Sequence, residues 1–98
     1  MKIENMKGRN GNSVPNQFII EHEGRITFSE DIVCNGCEVF QSYKSIIAIK
    51  SMGQVWLDST YWDYSRTTGK YRNIFLNETK KETLEKIKIG EYILADLN

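Results

Sequence analysis

The segment 45–58 constrains the fold most, because its apolar residues cannot all be buried on one side of a sheet. Met52-Gly53 divides the segment and predicts a tight turn between two antiparallel strands, Ser45–Lys50 and Gln54–Asp58. In that hairpin, two cross-strand pairs place apolar side chains on both faces: Ile49 with Trp56, and Ala48 with Leu57. A sheet that is covered on one side only shows a cleaner alternation of apolar and polar residues. We therefore expect the hairpin to be buried on both faces, or to use one face as a contact surface.

Two more hairpins are predicted upstream of this segment. The first consists of the strand Gln17–His22, the turn Glu23-Gly24 and the returning strand Arg25–Phe28. The second is centred on Asn35-Gly36, because a type I′ hairpin turn requires positive φ at both central residues. Its strands are Ile32–Cys34 and Cys37–Gln41. Three successive hairpins predict an antiparallel sheet.

Two short helices and a last strand are predicted in the C-terminal half. Thr67 or Thr68 is a candidate N-cap for a helix that runs through Lys70–Leu76. Thr79 and Glu82 have the spacing of a capping box, which predicts the start of a second helix. The tail EYILADL alternates between two sets of residues and is typical of a strand that adds to the sheet.

Together these elements predict an α+β fold, an antiparallel β-sheet of hairpins with two short helices in the C-terminal half and a final strand. Residues 1–16 are polar and rich in turn residues. We expect them to form a flexible N-terminal arm, or a short edge strand around Lys2–Met6. Residues 17–98 are then a single α+β domain.

The charge balance argues against two classes of charge-driven function. The chain has 98 residues, and Lys plus Arg and Asp plus Glu are balanced at 13 each. A non-specific nucleic-acid binder usually has a basic excess, and a protein that imitates DNA needs an acidic one. The apolar runs fall well short of the ~20 residues that span a bilayer, and the N-terminus lacks the apolar core of a signal peptide. We expect a cytosolic protein whose two cysteines are reduced.

Cys34-Asn35-Gly36-Cys37 is the one motif that suggests chemistry. Two thiolates at this spacing make half of a zinc site, which needs four ligands. His22 is the one further nitrogen ligand of this kind in the chain, so carboxylates or a second chain would have to complete the site. A redox-active pair normally opens a helix, whereas Asn-Gly predicts a hairpin turn here. We expect reduced thiols that flank a turn. The alternatives are a metal or inter-chain site and a regulatory disulfide.

The remaining polar residues do not form a catalytic pattern. His22 has no partnered nucleophile, and no serine stands in a Gly-x-Ser-x-Gly setting. Asp58 and Asp63 are near the aromatic stretch, where two carboxyls can act as acid and base. We expect instead that Asp58 ends its strand, and that Asp63 makes a turn or pairs with a nearby arginine. The protein is predicted not to be an enzyme, with no cofactor and no metal.

The stretch Tyr61–Leu76 contains about half of the chain's aromatic residues, interleaved with basic ones. This combination can stack on and hold single-stranded nucleic acid, and Trp, Tyr and Arg are also frequent in protein interface hot spots. The alternative is a structural role. In that case Tyr71, Ile74 and Phe75 face the core at helical spacing, and Trp62 holds the loop against the sheet.

Four stretches of the sequence form a recognisable pattern: Asn16-Gln17-Phe18, Phe40-Gln41-Ser42-Tyr43-x-Ser45-x-Ile47-Ala48, Val55-x-Leu57-Asp58 and Trp62-Asp63-Tyr64-Ser65-x-Thr67-Thr68-x-x-Tyr71-x-x-x-Phe75-Leu76. This pattern resembles a family of small proteins encoded by bacteriophages and prophages of Gram-positive bacteria. It covers most of the chain from Asn16 onward. Ile26–Glu38, which includes both cysteines, is extra length relative to that pattern.

A phage protein of this kind resembles the inhibitors that phages deploy against host defence, including anti-CRISPR proteins. The resemblance implies a non-catalytic inhibitor in the host bacterial cytoplasm, bound to a host defence protein such as a CRISPR nuclease or its guide complex. The expected contact residues come from the aromatic-basic stretch and the second hairpin: Tyr61, Trp62, Tyr64, Arg66, Lys70, Arg72 and Glu38. Two alternatives stay open, a nucleic-acid-binding accessory protein that uses the aromatic-basic residues, and a homodimeric structural or assembly module that pairs through the third hairpin.

Overall fold

The structure, a computed structural model that describes residues 1–29 and 32–98, is built around one six-stranded sheet. The strands follow one another across the sheet in chain order: β1 (Lys2–Lys7), β2 (Ser13–Ser29), β3 (Ile32–Ser42), β4 (Ser45–Ser51), β5 (Gln54–Asp58) and β6 (Tyr92–Ala95). Two helices, α1 (Arg66–Leu76) and α2 (Lys80–Lys88), connect β5 to β6. The predicted α+β class is confirmed. Residues 1–16 supply β1 and the start of β2.

The last strand departs from the predicted antiparallel arrangement. β1 to β5 pair antiparallel, whereas β6 runs parallel to β5, with Val55 opposite Tyr92 and Asp58 opposite Ala95. Antiparallel neighbours can be joined by a tight turn, but parallel neighbours need a crossover connection, and the two helices form it. The final strand is therefore confirmed, and the expectation of a purely antiparallel sheet is wrong.

The third hairpin forms in the predicted register. Ile49 pairs with Trp56 and Ala48 pairs with Leu57, across a turn in which Met52 and Gly53 both have positive φ. The adjacent residues Ile47, Ala48 and Ile49 are all 1% exposed or less. The hairpin is thus buried on both faces, the first of the two arrangements expected from its sequence.

The first and second predicted hairpins are wrong, because β2 and β3 are each one long strand. Glu23-Gly24 and Asn35-Gly36 face each other in the middle of the β2–β3 ladder, where the register shifts between the pairs His22–Cys37 and Arg25–Asn35. Gly24 and Gly36 have φ of 76° and 71°. A bulge uses the same left-handed glycine as a tight turn, so the residue types alone did not separate the two. The link from β2 to β3 falls at residues 30–31, outside the described part of the chain.

Each face of the sheet carries its own hydrophobic cluster. The first cluster is covered by α1 and contains Met6, Phe40, Ile47, Ala48, Leu57, Tyr71, Phe75 and Tyr92. The second lies on the opposite face, because Val39 and Ile49 are next in sequence to Phe40 and Ala48 of the first cluster, and successive strand residues point to opposite faces. It contains Ile32, Cys34, Cys37, Val39, Ile49 and Leu97, with Ile26 and Phe28 packed against it. The far end of the β2–β3 ladder therefore contributes to the second cluster.

The β2–β3 ladder must bend to allow this packing. A straight strand of the length of β2, with 17 residues, would be about 56 Å long. The longest extent of the described chain is 37 Å. Bulges bend a ladder and increase its twist, and the register shift at the glycine pair is one place where this ladder can bend.

Helix α1 begins earlier than predicted. Its N-cap is Ser65, whose Oγ accepts a hydrogen bond from the Thr68 N–H at 3.2 Å. The predicted caps Thr67 and Thr68 both lie inside the helix. Thr68 is buried, with its Oγ1 3.0 Å from the Oγ of Ser42 on β3. Its hydroxyl ties the helix to the sheet, a tertiary role that a cap rule does not consider.

The buried face of α1 differs from the predicted one. Tyr71 and Phe75 are buried in the first cluster, whereas Ile74 is 53% exposed. Phe75 lies 5.8 Å from Phe40, between ring centroids. The buried stripe consists of Thr68, Tyr71, Arg72 and Phe75, and Ile74 lies on the solvent side of it.

Helix α2 begins at the predicted capping box. The Glu82 N–H donates to the Thr79 Oγ1 at 3.2 Å, and the Thr79 N–H donates to the Glu82 Oε1 at 3.0 Å. Within the described residues, neither helix combines the length and the apolarity that a membrane-spanning segment needs.

Candidate functional site

The contact residues expected from the sequence lie in three separate places. The basic cleft is a cavity of about 630 Å³ beside the start of α1, lined by Asp63, Ser65, Arg66, Gly69, Lys70, Arg72, Asn73 and Lys80. The aromatic cleft is a cavity of about 700 Å³, lined by Asn16, Phe18, Gln41, Ser42, Tyr43, Lys44, Ser45, Ile47, Tyr61, Tyr64 and Thr68. The structure thus brings the three predicted basic residues together and the two tyrosines together. Glu38 lies in neither cleft.

Arg72 is an interior residue of the basic cleft. Its side chain is 1% exposed, and its guanidinium carbon lies 5.1 Å from the centre of the Trp62 ring. Nη1 donates to the Trp62 carbonyl at 2.8 Å and to the Asp63 Oδ1 at 3.0 Å, while Nη2 donates to the Asn73 Oδ1 at 2.9 Å. Nε has no hydrogen-bond partner among the described residues. Arg72 and Trp62 therefore hold the loop before α1 in place, and neither offers a freely exposed side chain.

Asp63 is the single carboxylate among the residues that line the basic cleft. It accepts hydrogen bonds from Arg72 and from the Lys80 Nζ, which lies 2.6 Å from Oδ2. Partial burial raises the pKa of Asp63, but the hydrogen bonds from Lys80 and Arg72 together lower it by more. The pKa therefore lies below its ordinary value. The carboxylate stays ionised at neutral pH. It faces four cations, Arg66, Lys70, Arg72 and Lys80, and leaves the cleft with an excess of positive charge.

The first turn of α1 carries the charge that is unfavourable for a helix. Arg66 opens the helix, the first turn contains no acidic residue, and Lys70 follows one turn later. The unsatisfied N–H groups at a helix start carry partial positive charge, which favours anions and disfavours cations. In the same molecule, the first turn of α2 offsets Lys80 and Lys81 with Glu82 in a capping box, and its last turn carries Lys86 and Lys88. The start of α1 is therefore a place where added negative charge would be stabilising.

Gly69 leaves the ion pair between Arg72 and Asp63 open to the basic cleft. It lies inside α1, where glycine is about 1 kcal/mol less favourable than alanine. Its φ is not in the left-handed region, so the backbone does not require glycine here. A Cβ at this position would lie 3.6 Å from the Arg72 Nη2 and 3.8 Å from the Asp63 Oδ1. The missing methyl group keeps this wall of the cleft open.

The aromatic cleft combines exposed rings with buried hydroxyls. Tyr64 is 70% exposed and packs edge-on against Tyr61, at 5.4 Å between ring centroids. On the inner wall, Thr68 Oγ1 lies within hydrogen-bond distance of both Ser42 and Ser65, at 3.0 and 3.2 Å. Because Ser65 lines the basic cleft, this chain of hydroxyls links the two clefts through the N-cap of α1.

Glu38 lies towards the other end of α1. Its carboxylate is 3.7 Å from the Lys50 Nζ. Lys50 in turn donates to the carbonyl of Phe75 at 2.9 Å and lies 4.2 Å from the centre of that ring. Phe75 belongs to the last turn of α1, so Glu38 does not share a surface with the basic cleft at the start of the helix.

Two residues of the basic cleft were missed by sequence analysis, for different reasons. Lys80 reaches Asp63 from the start of α2, and no local pattern places these two residues together. Gly69 has a detectable signal, since a glycine within a helical segment often has a packing or functional reason.

The two cysteines are buried in the second cluster, and both are free. Burial raises the pKa of Cys37 above its ordinary value, and the neighbouring Cys34 raises it further. Such a thiol is a poor nucleophile and a poor metal ligand at neutral pH. In the described part of the chain, His, Cys, Asp and Glu do not form a group of three or more that could hold a metal ion.

The sequence matches one family over most of its length. Residues 1–91 match DUF8033, a family of unknown function, and the chain belongs to that family. The matched range includes both helices and every residue that lines the two clefts, whereas β6 lies beyond it. No curated protein and no solved structure matches the chain.

Proposed function

We propose that this member of DUF8033 is a non-catalytic binding protein that presents the basic cleft and the neighbouring Tyr64 to an acidic surface of a partner. The observation that carries the proposal is the excess of cations at the start of α1. Arg66 and Lys70 are exposed there although the helix disfavours cations at this end. Local rules of stability are most often broken at functional sites. An acidic partner group would relieve this unfavourable arrangement on binding.

The partner is a host defence protein, such as a CRISPR nuclease or its guide complex, met in the cytoplasm of a bacterial host. This part of the proposal rests on the resemblance to small phage proteins. The chain has no net charge, so attraction to an acidic partner would be local to the cleft. Tyr64 is 70% exposed and close in sequence to Arg66, and tyrosine and arginine are both enriched in interface hot spots.

Capture from a bacterial lysate, followed by an assay of the captured protein's activity, tests the proposal. The chain carrying Arg66→Glu and Lys70→Glu should lose the partner that the native chain retains, because two attractive charges become repulsive. Arg9→Glu with Arg25→Glu is the matched control, since both residues are exposed, line neither cleft and give the same change in net charge. Equal recovery by all three chains, or a captured protein whose activity is unaffected, would contradict the proposal.

Single-stranded nucleic acid is the second candidate partner, favoured by the exposed Tyr64 beside Arg66 and Lys70. If Arg66, Lys70 and Lys80 each contact a phosphate, the logarithm of the binding constant should fall with the logarithm of salt concentration with a slope of about −2. A slope near zero would exclude this candidate. For the homodimer alternative, the third hairpin is covered on both faces within one chain and offers little free apolar surface.

A further inference from the structure

The two edges of the sheet are built differently. β1 forms one edge and carries Lys2, Glu4 and Lys7, with an irregular register between Asn5 and Lys7. Charged side chains and bulges are the usual means by which a protein prevents other strands from pairing with an edge. β6 forms the other edge, and its sequence Tyr-Ile-Leu-Ala has no charge and no proline. Its pairing with β5 is regular. One edge is protected and the other is open.

The open edge presents both unpaired backbone groups and apolar side chains. Within the described residues, only β5 pairs with β6, so the outward N–H and C=O groups of Leu94 have no backbone partner. The backbone groups of Ile93 point towards β5, as do those of Ala95, whose C=O accepts from the Ser59 N–H. The side chains of Ile93 and Leu94 point to opposite faces, and each is 42% exposed. Ile93 stands opposite Trp56 of the second cluster, and Leu94 opposite Leu57 of the first. An added strand would therefore extend both clusters.

We infer that β6 is a docking edge for an extended segment of a partner protein, with alternating apolar residues and a Lys or Arg at each end. The charge requirement follows from Glu91 and Asp96, two exposed carboxylates that flank the uncharged strand. Backbone hydrogen bonds would supply affinity, and the flanking charges would supply selectivity. This inference does not depend on the function proposed for the basic cleft.

The test uses the full chain and a labelled peptide, Lys-Val-Thr-Val-Thr-Val-Lys, with binding followed by fluorescence anisotropy and by amide NMR signals. The peptide should bind saturably, shift the β6 amides and protect them from hydrogen exchange. Ile93→Lys should weaken binding by about tenfold, because an apolar contact is lost and a like charge is added. Ile3→Lys, an exposed isoleucine on the opposite edge, is the matched control and should bind as the native chain does.

A charge swap keeps the test decisive if the edge variant folds poorly. Replacing Glu91 and Asp96 by lysine should reverse the preference, so that a peptide with glutamate ends binds better than the one with lysine ends. Arg66→Glu with Lys70→Glu should leave peptide binding unchanged, which separates this inference from the proposed function. Three outcomes overturn the inference: no saturable binding up to about 1 mM, equal binding by the Ile93→Lys chain, or a native dimer that Ile93→Lys abolishes.

Discussion

At the scale of single residues, buried polar side chains hold the segments around the site in place. Asp58, 1% exposed, accepts hydrogen bonds from the N–H groups of Thr60 and Tyr61 at 3.1 and 2.8 Å, and from that of Leu97 at 2.9 Å. It ends β5 as expected, and its carboxylate oxygens accept hydrogen bonds from backbone N–H groups. Arg72 does the same for the loop before α1. Both residues are therefore structural, and the surface that remains for binding is Tyr64, Arg66, Lys70 and the wall at Gly69.

Replacing Arg72 by methionine tests this structural role. The change leaves the Trp62 carbonyl without its donor and Asp63 with Lys80 alone, so we expect a loss of about 2 kcal/mol in the free energy of unfolding. Arg66→Met is the matched control, and an exposed arginine should change stability by no more than about 0.5 kcal/mol. Urea unfolding of the two variants gives the comparison. Equal stability would show that the Arg72 contacts are not formed.

Glu78 gives the fold a dependence on pH. Its side chain is 3% exposed and accepts from Thr83, Lys86 and Tyr92 at 2.6, 2.7 and 2.7 Å. Burial raises the pKa of Glu78, but hydrogen bonds from Lys86, Thr83 and Tyr92 together lower it by more. The pKa therefore lies below its ordinary value. Because the folded pKa is below the unfolded one, this contribution to stability is fully present above the unfolded pKa of about 4.3 and is lost as pH falls through the folded pKa.

Glu78→Gln should therefore cost about 2 kcal/mol at pH 7 and progressively less in acid. Unfolding free energies of the native and variant chains at a series of pH values between neutral and acid measure the difference. Glu85→Gln, at an exposed position on α2, is the control and should give no such gap. A gap that does not narrow in acid would show that the Glu78 charge is not what stabilises this network.

At the scale of elements, the first turns of α1, which line the basic cleft, carry residues that make a helix less stable. A basic first turn and an interior glycine are both unfavourable for an isolated helix. Helix α2 also opens on two lysines, but it has Glu82 in a capping box and no interior glycine. The first turn of α1 has no acidic residue, and this difference is the reason to assign the start of α1 to binding.

Gly69→Ala should separate stability from binding. The variant should gain about 1 kcal/mol in unfolding free energy, since the added Cβ makes only ordinary contacts. It should also bind the partner more weakly, because the methyl group covers the Arg72–Asp63 pair. Thr67→Ala, at an exposed position of the same helix, is the control and should gain a few tenths of a kcal/mol with binding unchanged. Unchanged binding by the Gly69→Ala chain would remove this wall from the site.

The sequence predicted elements best where one local interaction decides the structure. The capping box at Thr79 and the turn at Met52-Gly53 were both correct, because side-chain hydrogen bonds and φ preferences act over a few residues. Asn35-Gly36 was interpreted incorrectly, since a left-handed glycine serves a bulge as well as a turn. The start of α1 was misplaced, because the N-cap is Ser65 and the Thr68 hydroxyl bonds to Ser42, which is distant in the chain.

At the scale of the whole molecule, the covering of the sheet and the make-up of the basic cleft depend on how segments distant in the chain pack together. The apolar hairpin predicted a sheet covered on both faces, but its sequence did not reveal what covers the second one. That cover includes the bent end of the β2–β3 ladder, which follows from the bulge. In the same way, the predicted basic residues do form one cluster, but the burial of Arg72 and the approach of Lys80 depend on how α1 and α2 pack.

The bend at the bulge can be tested through Gly36. Its φ of 71° lies in the left-handed region, and the space around it is open, so Gly36→Ala should lose about 1 kcal/mol through backbone strain alone. Gly8→Ala is the matched control, because the φ of Gly8 is not positive and its added Cβ would make only ordinary contacts. Thermal unfolding of the two variants measures the difference, and an equal effect would place the bend elsewhere.

The most direct test of the central claim is an NMR titration of the native chain with an acidic peptide, octaglutamate, and in parallel with a single-stranded thymidine decamer. If the start of α1 is the binding surface, the amide signals of Arg66, Gly69 and Lys70 should shift most for at least one probe. Arg66→Glu with Lys70→Glu should remove these shifts, while Arg9→Glu with Arg25→Glu should preserve them. Shifts spread evenly over the exposed lysines, or centred on another surface, would contradict the claim.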